Sequence, residues 1–241
     1  MQKRLFLRLA LATLMSVGMY ALAAPAPTAL AAAPTTLRMS GPSASANYFG
    51  QEGDTSWNVS INLYAQTTKT GNTTTQSMRV EVYFSEFDEA AGFFASTGCN
   101  ESGVCGVAAP EGAKINLPSS AYLPAVDVEL AIMGDTGPTG DTFTAHVGPV
   151  TWNGEGGINS HYTSVSRFPA SPTCEVAVHQ IGRVSSAPAT GSFSFTPPAM
   201  IGSFTTTPVS ITDATTDFGN ASLSYSGTTV RLFGEDCPPI F

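Results

Sequence analysis

Charged residues are scarce in this chain, and positive charges are the scarcest. Only 12% of its 241 residues are charged, and 10 Lys and Arg face 18 Asp and Glu for a net charge of -8. A nucleic-acid binder needs a basic surface to displace counterions, and no Lys/Arg cluster occurs beyond the N-terminus. Helical proteins usually cover their exposed helix faces with Glu and Lys. The composition therefore argues against a nucleic-acid partner and against a helical fold.

Sequence motifs of several enzyme classes are also missing. The chain has no Gly-x-Ser-x-Gly elbow, which α/β-hydrolases use to present a nucleophile. It has no phosphate loop of the Gly-x-x-x-x-Gly-Lys type either. The sequence therefore names no catalytic residue, and it predicts no cofactor apart from the metal ions considered below.

The first 33 residues have the pattern of a secretory signal peptide. Lys3, Arg4 and Arg8 precede an apolar run over 9–20, and small residues follow at 21–23 and 31–33. This order of charge, short apolar run and small residues is typical of a cleaved signal. The run is shorter than the ~20 residues of a bilayer-spanning helix. We expect cleavage near residue 33, or as early as 23/24, and no transmembrane helix afterwards.

Signal removal makes the chain more acidic. It takes away three cations and no acid, which leaves seven Lys and Arg against 18 Asp and Glu, or -11. We expect a secreted, periplasmic or cell-envelope protein.

Four cysteines, all beyond the signal, agree with export. An even number of cysteines in an exported chain indicates disulfides, because nothing there keeps thiols reduced. Three connectivities are open, and we favour Cys99–Cys105 with Cys174–Cys237. The second bond would hold the C-terminal tail and contribute ~2–4 kcal/mol. A zinc site lacks the close Cys-x-x-Cys or Cys-x-x-His pairs that it needs.

Alternation with period two predicts many short strands. Apolar residues alternate with polar ones in 57–63, 78–84 and 126–132, and 67–74 reads as a hairpin turn with Gly71-Asn72 at its tip. Further strands are predicted at 142–152, 161–168, 174–184, 192–196, 209–212, 221–225 and 228–233. The fold class is therefore all-β, an antiparallel β-sandwich or jelly roll with disulfides.

We expect one β-sandwich domain over 34–241. The turn-rich stretch 134–141 is the place where a subdivision could fall. No segment long enough for a helix has a clean 3.6 period, and the best candidate, Ser85–Ala95, could form one or two helical turns.

Two metal sites are considered. His146, His161 and His179 each fall in a predicted strand, and imidazoles suit zinc or copper. No two of them lie two residues apart, so independent polar surface residues are the competing hypothesis. Asp135 and Asp141 flank a Gly-rich loop whose oxygens could bind calcium, although the loop lacks a known calcium-binding spacing and also reads as a solvated turn.

Acidic and aromatic residues supply the remaining candidates. Glu86, Asp88 and Glu89 could provide paired carboxylates for glycoside hydrolysis, but clustered acids also form hydrated surfaces. Trp152 borders a Gly-rich turn and is the better candidate of the two tryptophans for an exposed residue that stacks on a ligand. Core or turn packing is nevertheless the interpretation that we favour for Trp152.

One stretch of the chain resembles a group of uncharacterised exported bacterial β-proteins. The resemblance is carried by the turn at 151–156, by Arg167-Phe168, Cys174 and Arg183, and by the small-residue segment 189–193. In that group a Trp-x-Gly-x-Gly turn precedes a Cys-containing strand pair. The resemblance covers residues 120–195 and implies export and β-architecture, but it transfers no functional residue.

Together these features predict an exported, non-enzymatic protein of the cell envelope or extracellular space that acts in binding, adhesion or structure. Its partner is an unknown component of the surface or envelope, with carbohydrate as one candidate chemistry. A secreted enzyme, dependent on carboxylates or on a His-bound metal, is the alternative. A subunit of a surface layer or appendage is a third hypothesis.

Overall fold

The computed structural model describes residues 36–88, 91–99, 105–134, 137–154, 159–234 and Cys237. The predicted signal peptide and the loop residues Asp135 and Glu89 lie outside these residues. The described chain is built from antiparallel β-strands, so the all-β prediction is confirmed. None of its segments forms a helix that is long and apolar enough to cross a bilayer.

Sixteen strands occur in the described residues. They are β1 (Thr36–Glu52), β2 (Thr55–Thr70), β3 (Thr73–Phe87), β4 (Gly92–Ser96), β5 (Val107–Ala108), β6 (Lys114–Asn116), β7 (Ser120–Leu123), β8 (Val126–Gly134), β9 (Gly137–Asn153), β10 (Ser160–Ser171), β11 (Cys174–Ser186), β12 (Ala189–Phe195), β13 (Met200–Ile201), β14 (Phe204–Thr205), β15 (Val209–Asp217) and β16 (Asn220–Phe233).

Fourteen of these strands form one sheet that folds back on itself. Its order is β10-β11-β16-β1-β2-β3-β4-β8-β9-β12-β15, with β5 paired to β3 and β6-β7 joined to β9. We call the strands from β10 to β3 the first layer, and β8, β9, β12 and β15 with β6 and β7 the second layer. Phe84 stacks on Phe195 at 4.8 Å and Tyr48 meets Phe193 edge-on at 5.3 Å, so aromatic contacts join the layers into a sandwich-like core.

The predicted alternation places the core correctly. Trp57, Val59, Ile61 and Leu63 are all buried on one side of β2. The tip of the hairpin between β2 and β3 lies at 71–72, as predicted. The rest of the predicted turn 67–74 is paired strand, because β2 continues to Thr70 and β3 begins at Thr73. The turn-rich stretch 134–141 joins two paired strands, β8 and β9.

The helical turns predicted at Ser85–Ala95 are wrong. β3 continues to Phe87, and β4 begins at Gly92. In β4, Phe93 and Ala95 are buried while Phe94 is exposed. This period of two suits a strand that covers one side of the core, whereas a helix would need a period of 3.6.

Trp152 lies in β9 and packs in the core, the interpretation favoured over an exposed ligand-stacking position. The side chain is fully buried between the layers. Its indole Nε1 donates a hydrogen bond to the Ser45 carbonyl oxygen in β1, at 2.8 Å. A tryptophan used in this way joins the two layers and offers no stacking surface to a ligand.

Both predicted disulfides are present. Cys99 bonds to Cys105 across six residues, and Cys174 bonds to Cys237 across 63. Cys174 shares the parity of Val176, which lies in a small apolar cluster with Leu37 and Val230. The tail residue Cys237 is therefore held on that side of the first layer.

The strands of the first layer extend beyond the second layer. β1, β2, β3 and β16 contain 17, 16, 15 and 14 residues; in the second layer β9 also contains 17, but β8, β12 and β15 contain nine, seven and nine. On β2 the core side is buried from Trp57 to Leu63, but Lys69 on the same side is exposed. The first layer thus carries an overhang whose core-facing side is open to solvent.

Candidate binding site

Five cations lie on the open side of this overhang, and all five are exposed. They are Arg38, Lys69, Arg167, Arg183 and Arg231. They make up five of the seven Lys and Arg beyond residue 33. We call this side of β10, β11, β16, β1 and β2 the basic face.

Strand pairing puts these residues on one side. Directly paired residues of antiparallel strands project to the same side, and successive residues alternate. One row of partners runs Val165, His179, Thr229, Arg38, Lys69, and the next runs Arg167, Ala177, Arg231, Thr36. A further row contains His161, Arg183 and Tyr225. Two residues advance ~6.8 Å along a strand, and neighbouring strands lie ~4.8 Å apart. The face therefore measures about 20 Å both along the strands and across them.

Four of the five cations have no partner among the described residues. Arg38, Lys69, Arg183 and Arg231 make no ion pair or side-chain hydrogen bond to any residue that the structure describes. Arg167 contacts Glu175 at 3.3 Å and lies 5.8 Å from the centre of the Phe233 ring. In the part of the chain that the structure describes, the basic face therefore carries five cations and one carboxylate, Glu175.

Arg79 shows how the same fold satisfies a cation elsewhere. It lies on the opposite side of the first layer, where its guanidinium donates to Glu81 and to Gln66, each at 3.1 Å. Tyr83 also donates to Glu81, at 2.9 Å. Burial, with that hydrogen bond and the charge of Glu81, raises the pKa of Tyr83 to about 12. Arg79 therefore belongs to a closed polar network, unlike the cations of the basic face.

Hydroxyl and apolar side chains lie between the cations. Thr163, Ser40 and Thr67 lie in one row of cross-strand partners on the basic face, and Thr229 and Thr74 lie in another. The exposed apolar residues are Val165, Ile181 and Phe233. Hydrogen-bonding groups and apolar flanks among cations are the chemistry that an anionic, hydroxyl-rich partner needs.

A pocket of about 430 Å³ opens where the basic face meets the second layer. On the first-layer side it is lined by Ile181, Arg183, Leu223 and Tyr225, and on the second-layer side by Leu117 and Pro118. Its size falls within the range of small-molecule sites. Mostly apolar walls with one unpaired guanidinium suit a ligand that carries a carboxylate on an apolar ring or chain.

The three predicted metal-binding histidines are not brought together. His161 and His179 both lie on the basic face, but His161 pairs with Arg183 and His179 with Val165, four residues away along β10. His146 is on β9, where its Nδ1 contacts Asp127 Oδ1 at 2.6 Å. Among the described residues no group of three or more His, Cys, Asp or Glu is arranged to hold a metal ion. The zinc or copper site stays a prediction, and the three histidines do not converge on one point.

Sequence reasoning missed one row of polar residues on the second layer. Asp127 on β8 pairs with His146 on β9, and His146 pairs with Ser194 on β12. This is the residue order of a serine-hydrolase triad. However, no hydrogen bond joins Ser194 to His146, and the side chains of His146 and Asp127 are 59% and 69% exposed. The row therefore contains a solvent-exposed contact between His146 and Asp127, where water competes for the imidazole.

The acidic candidates separate in the structure. Glu86 is fully buried beside the core, and its Oε1 accepts a hydrogen bond from the Thr207 amide at 2.7 Å. Burial raises the pKa of Glu86. Asp88 lies past the end of β3, where its Oδ1 accepts a bond from the Ala91 amide at 2.7 Å. Glu86 and Asp88 thus share no cleft, and Glu89 lies outside the described residues.

Of the predicted calcium ligands, only Asp141 is described. It is exposed at the start of β9, and its Oδ2 accepts a hydrogen bond from the Thr139 hydroxyl at 3.4 Å. The calcium site itself stays a prediction.

Comparison with known proteins adds no relative. The sequence matches no protein-family model, and the search found no similar curated protein and no similar solved structure.

Proposed function

We propose that this is an exported, non-enzymatic binding protein whose partner is an acidic polysaccharide of the cell envelope or extracellular space. The observation that carries the proposal is the basic face. A chain with only seven cations beyond residue 33 keeps five of them on one exposed side of about 20 Å, and four of those have no partner among the described residues.

Unpaired cations that lie side by side repel each other, and an anionic ligand removes that repulsion. Arg38 and Lys69 are direct cross-strand partners, and Arg231 lies two residues away along the strands. Like charges directly opposite each other destabilise a sheet. A bound anion that offsets this repulsion would explain why the cations lie together on one face.

The form of the face favours a polysaccharide over a compact anion. The cations are spread over five strands, and threonine and serine hydroxyls lie between them. An extended, hydroxylated polyanion can contact several cations and hydroxyls at once, whereas a single small anion contacts one or two.

Binding to polygalacturonate tests the proposal, with the fully methyl-esterified polymer as a neutral control of the same backbone. We expect the chain without its signal to bind the acid form and not the ester. Lys69→Gln should weaken binding several-fold. Lys114→Gln removes the same charge from β6, on an exposed residue next to core-facing Ile115, and should leave binding unchanged.

Two results would overturn the proposal. One is equal binding of the acid and the ester, or no binding of either. The other is an equal loss of affinity in Lys69→Gln and Lys114→Gln, because net charge rather than the basic face would then control binding.

A further inference from the structure

We propose that the pocket beside Arg183 is a chain-end site, which receives the terminal uronate of a polysaccharide lying on the basic face. This inference rests on the proposed function and adds the direction and the end point of the bound chain.

The pocket closes one end of the basic face. Within the sandwich the same side of the first layer is filled by Leu223, Ala44 and Leu63, which are fully buried. Leu117 and Pro118 stand at the edge of the second layer, where the open face begins. A ligand chain that runs along the strands toward the core therefore ends against Leu117 and Pro118, which we call the pocket wall.

The wall is fixed to the second layer. The Gly154 amide donates to the Ser119 carbonyl oxygen at 2.8 Å, and the Ser119 amide donates to that of Asn116 at 2.8 Å. A side-chain carbon at Gly154 would collide with the Pro118 carbonyl oxygen, so only glycine permits this close approach. The pocket wall is thus held by β9 and is not a free loop.

The separation of Arg183 from Arg231 defines a path along the strands, whereas Arg167, Arg231, Arg38 and Lys69 lie in two neighbouring rows across them. Arg183 pairs with Tyr225 on β16, and Arg231 lies six residues further along the same strand. This separation is about 20 Å along the strands. A polymer that contacts both guanidinium groups therefore lies along the strands, with one end at the pocket.

The pocket has the groups that a terminal acidic sugar requires. The exposed Arg183 can bind a carboxylate through two parallel hydrogen bonds. The half-buried Tyr225, with the exposed Ile181 and Pro118, can cover the non-polar side of a sugar ring. The buried Leu223 and Ser185 form the floor of the pocket.

The stoichiometry of binding to galacturonate chains of increasing length tests the inference. A chain-end site predicts a constant number of proteins per chain, whatever the length. Internal binding predicts a number that rises in proportion to length. Light scattering or analytical ultracentrifugation of defined oligomers gives this number directly.

Arg183→Gln and Arg231→Gln form the matched pair of variants. Both remove one exposed, unpaired guanidinium from the basic face, but only Arg183 lines the pocket. We expect Arg231→Gln to weaken binding and keep the constant number per chain. Arg183→Gln should abolish the preference for chain ends, so that the number bound rises with length.

The outcomes separate the two proposals. Binding that scales with length in the wild type, or an Arg183→Gln variant that keeps a constant number, overturns the chain-end site and leaves the proposed function intact. The absence of binding to every acidic chain overturns both.

Discussion

Arg38 and Lys69 occupy directly paired positions on β1 and β2, so two exposed cations face each other across neighbouring strands. Neither contacts a carboxylate among the described residues. In a chain with so few cations, this pairing is an unfavourable arrangement that sheet stability does not explain.

Lys69→Glu should stabilise the protein while it removes anion binding. The variant places a carboxylate opposite Arg38, so that a repulsive pair becomes an attractive one, a change of about 0.5–1 kcal/mol. The melting temperature at low salt measures it. Lys114→Glu, whose cross-strand partner is Tyr122, is the control and should show no comparable gain. A lower melting temperature in Lys69→Glu would contradict the expected repulsion.

Affinity for polygalacturonate should pass through a maximum as salt increases. The Debye length is about 30 Å at ~0.01 M, about 10 Å at ~0.1 M and about 3 Å at ~1 M. At the lowest salt the polymer is repelled by the negative charge of the whole molecule. At the highest salt its electrostatic interaction with the protein is screened. At ~0.1 M it senses mainly the basic face. Titrations over this range check the maximum, and a monotonic rise with salt would be inconsistent with the basic face.

The two tryptophans should differ in what their indole nitrogens contribute. Trp152→Phe leaves the Ser45 carbonyl without its donor and should lower the free energy of unfolding by ~2–4 kcal/mol. In Trp57 the buried Nε1 has no partner among the described residues, so Trp57→Phe should cost about 1 kcal/mol less than Trp152→Phe. Urea unfolding of both variants makes the comparison. Equal losses would mean that the hydrogen bond between the layers adds nothing.

Glu86→Gln should stabilise the protein increasingly as pH rises. Burial raises the pKa of Glu86 in the folded state above its unfolded value, although the hydrogen bond from Thr207 opposes the shift. The contribution of Glu86 to stability is therefore fully present below the unfolded pKa and is lost as pH rises through the folded pKa. Glutamine keeps the acceptor oxygen without the charge. Melting curves should coincide at acidic pH and separate toward neutral pH, and a constant separation would point to packing instead.

Alternation within the sequence was sufficient to predict the core side of β2, β3 and β8, but not β1, and it divided β16 into two strands at 221–225 and 228–233. It also placed Lys69 in the turn 67–74, whereas β2 continues to Thr70 and Lys69 keeps the parity of Ile61 and Leu63. Lys69 is exposed there because β2 runs past the second layer. A cation at a core-facing position near a strand end is the sequence signal that could have indicated the overhang.

The grouping of the cations depends on contacts that are remote in sequence. Arg38 and Arg231 come onto one face only because β1 pairs with β16, and Arg183 joins them through the pairing of β11 with β16. Local periodicity does not specify these registers. The cysteine spacing, in contrast, was sufficient to predict both disulfides, because one pair closes a short loop and the other holds the tail.

The side-chain Nε signals of the arginines, followed by NMR during titration with galacturonate oligomers, test the central claim most directly. The basic face predicts shifts for Arg38, Arg183 and Arg231, and none for Arg79, which is held by Glu81 on the opposite side of the layer. If the oligomers bind while the signals of Arg38, Arg183 and Arg231 keep their chemical shifts, the result contradicts the account.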